Sequence, residues 1–188
     1  MKNIAIFASG NGSNAENIIK FFRGSETACV TLVLSNKANA YVLQRAKALE
    51  VPTRVFGRES LKDGLVLSSL QEAQIDFIIL AGFLWLLPAS LIRAYPDQII
   101  NIHPSLLPKY GGKGMYGNKV HQAVIENGET ESGITIHLVN EEYDKGKILL
   151  QARVDVNPED TPDSLAMKIH QLEYQHFPEV IQKQVVVH

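Results

Sequence analysis

The chain has 188 residues, of which 45% are hydrophobic and 20% are charged, a balance that suits one globular domain. Its 18 Lys and Arg residues against 20 Asp and Glu residues give a formal net charge of -2, without the basic excess of most nucleic-acid-binding proteins. No apolar run has the length of a membrane span or a signal sequence, and the single cysteine excludes an internal disulfide. We therefore expect a cytoplasmic protein that binds small molecules rather than nucleic acid or membrane.

Apolar strand-like runs alternate with amphipathic helix-like segments through about residue 102, the pattern of a parallel α/β sheet. Strands are predicted at residues 3–8, 29–35, 53–56, 76–82 and 98–103. Helices are predicted at residues 14–24, 38–50, 61–73 and 88–95. Gly64 lowers the helix propensity of the third helix, and Pro88 suits the first helical position of the fourth.

The second half of the chain changes character. After a predicted helix at 119–128, strands at 132–139 and 147–156 flank a polar turn and predict an antiparallel pair. The segment 163–187 is helical in pattern, and Pro178 should bend or split it. The predicted fold class is α/β: a single doubly wound, mostly parallel sheet, with a Rossmann-like N-terminal half and a small antiparallel extension.

A glycine-rich loop, Ser9–Ala15, joins the first strand to the first helix and fits the pattern G-x-G-x-x-G/A. Glycines let the backbone approach a ligand, and the helix start offers free N–H groups to an anion. The loop could also be a tight turn in which Ser13 or Asn14 caps the helix. A dinucleotide site is disfavoured, because the second strand ends without an acidic residue, although Lys37 would suit a 2′-phosphate. We favour a single-phosphate site.

Asn101 and His103 lie two residues apart at the end of a predicted strand, so their side chains share one face. Pro104 then stops the ladder and should expose the histidine to a crevice. An uncharged amide donor and a proton carrier suit acyl transfer to an amine, in which an oxyanion and a protonated amine form. The alternative is that both side chains satisfy backbone groups of the loop.

A carboxylate should orient the histidine, and the turn between the last two strands offers Glu141, Glu142 and Asp144. Such a neighbour would raise the imidazole pKa and keep the ring protonated. The spacing does not say which carboxylate does this, and a solvated turn is the alternative. The other histidines lack metal-ligand spacing, so no metal is expected.

The segment "GFLWLLP" follows the fourth predicted strand, where a polar loop would be usual. Large apolar side chains there remain unfavourably exposed unless something covers them. A flat heterocyclic ligand could do so, or the residues could simply cap the core.

Several segments match a known family in order and over nearly the whole chain: "SGNGSN", "SNK", "DFIILAGF", "NIHPSLLPKY", "HQAVIENG", "GITIHLV" and "ILLQARV". Together they resemble the glycinamide branch of the folate-dependent formyltransferases. The resemblance implies transfer of a formyl group from 10-formyltetrahydrofolate, the co-substrate, to the amine of glycinamide ribonucleotide, in purine biosynthesis. Residues 1–188 would then form one formyltransferase domain, with a phosphate-binding half at 1–102 and a folate and catalytic half at 103–188.

The resemblance also assigns roles to residues. It implies a catalytic trio of Asn101 as oxyanion donor, His103 as proton donor or shuttle and Asp144 as the group that raises the His103 pKa. Substrate-binding residues implied in the same way are Gly12, Ser13, Asn14 and Glu173. Folate-binding residues are Leu84, Trp85, Leu86 and Leu87, with Asn101. Thr135 and His137 would border the reaction centre.

The chain departs from the pattern at three places. Leu84-Trp85 replaces a common Met-Arg, so Arg58 or Lys62 would have to supply any cationic contact to the folate tail. The flap at 111–118 differs in length from some relatives, and "YDKG" replaces an acidic-glycine-glycine turn while keeping Asp144.

The sequence leaves three other functions as alternatives. A methionyl-tRNA formyltransferase should carry a further RNA-binding domain and more basic charge, and a formyltetrahydrofolate deformylase should carry a domain before the first strand. A non-catalytic mononucleotide-binding module is the third. We expect the protein to be a monomer or a homodimer.

Overall fold

The computed structural model describes residues 1–142 and 144–187, and these fold around one seven-stranded sheet. Its strands are β1 Lys2–Phe7, β2 Ala28–Ser35, β3 Thr53–Val55, β4 Phe77–Leu80, β5 Ile99–His103, β6 Glu131–Leu138 and β7 Ile148–Asp155. The order across the sheet is β3-β2-β1-β4-β5-β6-β7. Pairing is parallel from β3 to β5 and antiparallel for β6 and β7. The predicted doubly wound α/β fold with an antiparallel extension is confirmed.

Helices cover both faces of the sheet. They are α1 Ser13–Phe22, α2 Tyr41–Ala48, α3 Arg58–Lys62, α4 Leu65–Glu72, α5 Ala89–Ala94, α6 Asn118–Glu126 and α7 Pro162–Val187. One core lies between the sheet and α1, α2, α6 and α7, and the other lies between the sheet and α3, α4 and α5. In β1, Ile4 and Ile6 enter the first core while Ala5 and Phe7 enter the second, because successive side chains point to opposite faces.

Three helix predictions need correction. The helix predicted at 61–73 is two helices, α3 and α4, because Gly64 has a φ of 82°, a left-handed conformation that ends one helix before the next begins. Pro88 is the N-cap of α5 with extended backbone rather than its first helical residue. Pro178 lies inside α7, which continues through it to Val187 without a split.

The strand order reverses between β1 and β4, where ligands bind in open α/β sheets. The loops that leave the carboxyl ends of β1, β4 and β5 meet at this edge and carry most of the predicted site residues. None of the helices in residues 1–142 and 144–187 combines the length and hydropathy that a membrane span needs.

Gly12 fixes the path of the loop after β1. Its φ of 78° is left-handed, and an added Cβ would lie 2.4 Å from Val42 on α2. The close approach of α2 and the turn into α1 therefore both require glycine at this position.

We predict that Gly12→Ala lowers the free energy of unfolding by about 1–3 kcal/mol, because it adds backbone strain and a clash with Val42. Urea denaturation measures the loss. Gly10→Ala is the matched control, since a Cβ at Gly10 would meet no atom within 4 Å. Equal losses for both variants would contradict the assignment.

Candidate active site

A cavity of about 990 Å³ lies at the carboxyl ends of β1, β4 and β5. The structure brings the predicted site residues together around it: Gly12, Ser13, Asn14, Arg58, Leu84, Trp85, Leu86, Leu87, Asn101, His103, Asp144 and Glu173 all line its wall. Lys37 and Lys62, which the sequence analysis considered as cationic contacts, line the same cavity. Thr135 and His137 lie behind the lining residues.

The face on which Asn101 and His103 lie follows from the alternation of β5. Ile100 and Ile102 enter the core beneath α1 and α7, so Asn101 and His103 point to the opposite face. In the antiparallel pairing with β6, Asn101 faces His137 and His103 faces Thr135. The four polar side chains therefore form a patch on one face of two neighbouring strands.

His103 is buried, with 5% of its surface exposed, and each ring nitrogen faces an oxygen. Nε2 lies 2.7 Å from the Tyr110 carbonyl, which can only accept, so Nε2 carries a proton. Nδ1 lies 3.6 Å from Asp144 Oδ2. Burial lowers the pKa of His103, and this effect outweighs the opposing influence of the Asp144 carboxylate and the Tyr110 carbonyl. The direction of this shift is opposite to the predicted rise of the His103 pKa, although the Asp144 carboxylate by itself acts in the predicted direction.

Asp144 is the carboxylate of its turn that reaches His103. Its Oδ2 accepts a hydrogen bond from the Gly112 N–H at 2.9 Å, and its Oδ1 lies 3.5 Å from Asn101 Nδ2. Burial raises the pKa of Asp144, but the His137 and His103 rings and the Gly112 N–H together lower it below its ordinary value. Glu141 and Glu142 instead face Arg93 and Lys145 on the surface. Tyr143 of this turn lies outside the described residues.

Thr135 supports the loop after β5. Its hydroxyl donates to the Ser105 carbonyl at 2.7 Å and accepts from the Leu107 N–H at 3.0 Å. These bonds replace the ladder that the prolines interrupt, and they hold the chain that returns the Tyr110 carbonyl to His103.

The glycine loop is fixed from two sides. Arg45 of α2 donates to the Asn11 carbonyl at 3.0 Å and also pairs with Glu16 of α1. The Ser9 hydroxyl donates to Asn36 Oδ1 at 2.7 Å and accepts from the Leu84 N–H at 3.1 Å. Gly12, and neither Ser13 nor Asn14, is the N-cap residue of α1, and no side chain caps the helix. The first N–H groups of α1 thus remain available to a ligand.

Glu173 of α7 closes this end of the cavity. The carboxylate is buried and accepts hydrogen bonds from Asn14 Nδ2 at 2.8 Å and from His170 Nδ1 at 2.9 Å. The bond to Glu173 raises the pKa of His170, which also lines the cavity and stacks on Tyr174. The side chain of Asn14 therefore binds Glu173 rather than capping its own helix.

The apolar segment after β4 divides between cavity and core. Leu84 and Leu86 are 37% and 43% exposed, whereas Leu87 is buried in the second core. Trp85 packs edge-on against Phe56, and the Arg58 guanidinium lies 4.6 Å from the Trp85 ring centroid. Arg58 thus lies beside the predicted folate segment, where the sequence analysis expected a cationic contact.

Four contributors to the site were not predicted from the sequence. The Tyr110 carbonyl and the Gly112 N–H are backbone groups, which a sequence pattern does not display. His121 is buried and lines the cavity, and His170 binds Glu173. His170 could have been found, because it precedes Glu173 by three residues and so shares a helix face with it. In the described part of the chain, no group of three His, Cys, Asp or Glu side chains could hold a metal ion.

Comparison with known proteins defines the class. A family model described as formyl transferase matches residues 2–181. The chain therefore belongs to the formyl transferase family.

The relatives narrow this class. The chain is 41% identical over 187 residues to the phosphoribosylglycinamide formyltransferase of Haemophilus influenzae, covering 96% of this chain and 86% of that protein. It is 43% identical over 187 residues to the chloroplastic enzyme of that name from Arabidopsis thaliana, covering 96% of this chain but 64% of that protein. The crystal structure of the Anaplasma phagocytophilum enzyme superposes with a TM-score of 0.89 at 34% identity, covering 99% of this chain and 88% of that one. The resemblance to the glycinamide branch is confirmed.

We predict that Asp144→Asn lowers the pKa of His103 further, because it removes the negative charge that partly offsets burial. A pH titration of the His103 ring by NMR measures this. Glu142→Gln, in the same turn but on the surface, should leave the His103 pKa unchanged. An unchanged pKa in Asp144→Asn, or an equal fall in both variants, would contradict the coupling.

Proposed function

We propose that this chain transfers the formyl group of 10-formyltetrahydrofolate to the amine of glycinamide ribonucleotide, giving formylglycinamide ribonucleotide and tetrahydrofolate in purine biosynthesis. The observation that carries the proposal is the composition of one cavity. It combines the free N–H groups of α1, a buried Asn101–His103–Asp144 cluster and an exposed apolar segment. The names of the relatives support the same reaction.

The α1 end suits the ribonucleotide. Two buried polar atoms there, Asn14 Oδ1 and His121 Nδ1, have no hydrogen-bond partner within residues 1–142 and 144–187. Such atoms are unfavourable when left unpaired, and a polar substrate would satisfy them. The α1 N–H groups and the His170 ring would bind its phosphate, and the buried Glu173 carboxylate would accept from its hydroxyl groups.

The β4 end suits the folate. Full burial of a leucine side chain is worth roughly 1.5–3 kcal/mol, and a flat ring laid over Leu84 and Leu86 would recover the part that their exposed surface gives up. Arg58 and Lys62 line the same wall and could pair with a carboxylate tail. The bound folate would supply an activated formyl group between this wall and Asn101.

Attack of the amine on the formyl carbon forms a C–N bond and places negative charge on the formyl oxygen and positive charge on the amine nitrogen. Asn101 Nδ2 donates to that oxygen, an interaction worth about 3–4 kcal/mol in such sites. Because Nε2 of His103 is tied to the Tyr110 carbonyl, Nδ1 is the nitrogen that takes the amine proton. Asp144 then faces an imidazolium. His103 finally returns the proton to the departing nitrogen of the donor as its bond to the formyl carbon breaks.

In this proposal residues 1–188 work as one formyltransferase domain, in which the 1–102 and 103–188 halves both line the cavity. The protein would act as a monomer or homodimer. A cytoplasmic location stays a prediction, and the two plant relatives, of which the chain spans 64% and 60%, are both named chloroplastic. The alternatives of a deformylase, a tRNA formyltransferase and a binding module remain outcomes of the experiment below.

We predict that tetrahydrofolate is released from 10-formyltetrahydrofolate only when glycinamide ribonucleotide is present. The change in folate absorbance measures this release. His103→Ala should lower kcat about 10²–10⁴-fold and Asn101→Ala about 10²–10³-fold, because proton transfer and oxyanion stabilisation are lost. Asp144→Ala should also lower kcat, with ribonucleotide binding retained. Glu141→Gln, on the surface of the same turn as Asp144, is the control. Release without the ribonucleotide would indicate a deformylase. No release under either condition would contradict the proposal and leave the tRNA formyltransferase and the non-catalytic binding module as the remaining functions.

Trp85 is the sole tryptophan of the chain and lies in the proposed folate wall, so its fluorescence should report folate binding. We predict quenching by tetrahydrofolate, after inner-filter correction, and none by ribose 5-phosphate. Leu84→Ser should weaken the folate affinity about 10-fold or more, because it removes apolar area that the ring would cover. Leu65→Ser is the matched control, since Leu65 is 64% exposed on α4 and outside the cavity. Equal affinities in the two variants would contradict the assignment.

A further inference from the structure

His137 lies beside Asn101 without lining the cavity. The two residues are direct partners in the β5–β6 pairing, on the same face of the sheet. The His137 side chain is 3% exposed, so its hydrogen bonds are made to protein groups within a desolvated environment.

The contacts of the His137 ring select one tautomer. Nδ1 lies 2.8 Å from the Leu138 carbonyl oxygen, which can only accept, so Nδ1 carries the proton. Nε2 lies 3.7 Å from Asp144 Oδ1, beyond hydrogen-bond distance, so Asn101 is its nearer partner. In the Nδ1–H tautomer, Nε2 has a lone pair and no hydrogen. Asn101 Nδ2 lies 3.1 Å from this Nε2 and donates to it.

This tautomer also selects one orientation of the Asn101 amide. A flipped amide would place Oδ1 against the Nε2 lone pair, two acceptors facing each other. One Nδ2 hydrogen therefore binds His137, and the second remains on the side of Asp144, whose Oδ1 is 3.5 Å away. At that distance the second hydrogen is weakly engaged and free to serve a stronger acceptor.

Gly146 lies so close to the Leu138 carbonyl that the position has no room for a side chain. An added Cβ at Gly146 would lie 1.6 Å from that carbonyl oxygen and 3.3 Å from His137 Nδ1. The glycine that ends the Asp144 turn thus lets the backbone fold closely over the group that fixes the His137 tautomer.

We propose that His137 is a positioning residue: with its Nδ1–H bound to the Leu138 carbonyl and Nε2 as acceptor, it holds the Asn101 carboxamide with an N–H directed at the reacting carbonyl oxygen. The expected effect of His137 on turnover rests on the proposed function. The tautomer does not, because it can be observed in the protein without substrates. Loss of the orientation removes an oxyanion donor, and removal of one such donor lowers kcat about 10²–10³-fold.

The first experiment records ¹⁵N–¹H correlations of the histidine side chains in the substrate-free protein. His137 is expected in the Nδ1–H form, which is the less common neutral tautomer in water. A His137 ring that carries a hydrogen on Nε2, in either the neutral or the doubly protonated form, would overturn the proposal, whatever the enzyme assay shows.

The second experiment is a double-mutant cycle with Asn101→Ala. We expect His137→Phe to lower kcat at least 10-fold with little change in KM, and to lower it less than 2-fold in the Asn101→Ala background, because its target is gone. A purely structural role predicts equal losses in both backgrounds and would overturn the proposal. An absence of turnover in the wild-type protein would contradict the proposed function and leave the NMR result to decide the tautomer.

His137→Gln is the conservative variant, since its amide oxygen can occupy the position of Nε2 and accept from Asn101. It should retain clearly more activity than His137→Phe. Equal activities of these two variants, at matched thermal stability, would contradict the acceptor role.

Discussion

Burial of the His103 ring is the constraint on which the arrangement of the site depends. A desolvated imidazole needs a partner for each nitrogen, and both partners come from outside its own strand. The chain after β5 has to turn back so that the Tyr110 carbonyl meets Nε2, and the β6–β7 turn has to fold over the sheet so that Asp144 meets Nδ1. The Gly112 N–H joins these two loops through Asp144. The site is therefore built by two loops that hold one ring.

The antiparallel extension places two further polar side chains of β6 beside the site residues of β5. Pairing of β6 with β5 places Thr135 beside His103 and His137 beside Asn101 on the face opposite the α1 and α7 core. One hydroxyl then satisfies the loop backbone, and one imidazole accepts from the amide. A register slip of one residue would turn both side chains into the apolar core. The register of a single strand pair thus connects folding with the proposed chemistry.

Periodicity predicted the sheet, most helix positions and the placement of Asn101 and His103 on one face of a strand end, because these features depend on neighbouring residues in the chain. The choice of Asp144 among the carboxylates of its turn came from the family resemblance. The backbone contacts of Tyr110 and Gly112 depend on loop geometry, which cannot be predicted from the residue types in the loop. The pKa of His103 was predicted to be raised, because the carboxylate is visible in the sequence, whereas burial, which the sequence does not show, lowers it. Gly64 was predicted to lower the propensity of one helix, whereas in the structure it separates α3 from α4.

The apolar wall shows how stability is given up for binding. Phe7 packs edge-to-face against Phe56 and Phe83, with centroids 5.6 and 5.4 Å away, and Trp85 packs against Phe56. The anchored tryptophan fixes the backbone of the segment, so Leu84 and Leu86 stay exposed instead of collapsing into the core. Because this packing orders the segment before any ligand binds, the apolar area that it leaves in water would contribute to the affinity of the proposed folate site with little further ordering. The same aromatic packing that stabilises the second core therefore preorganises the cavity.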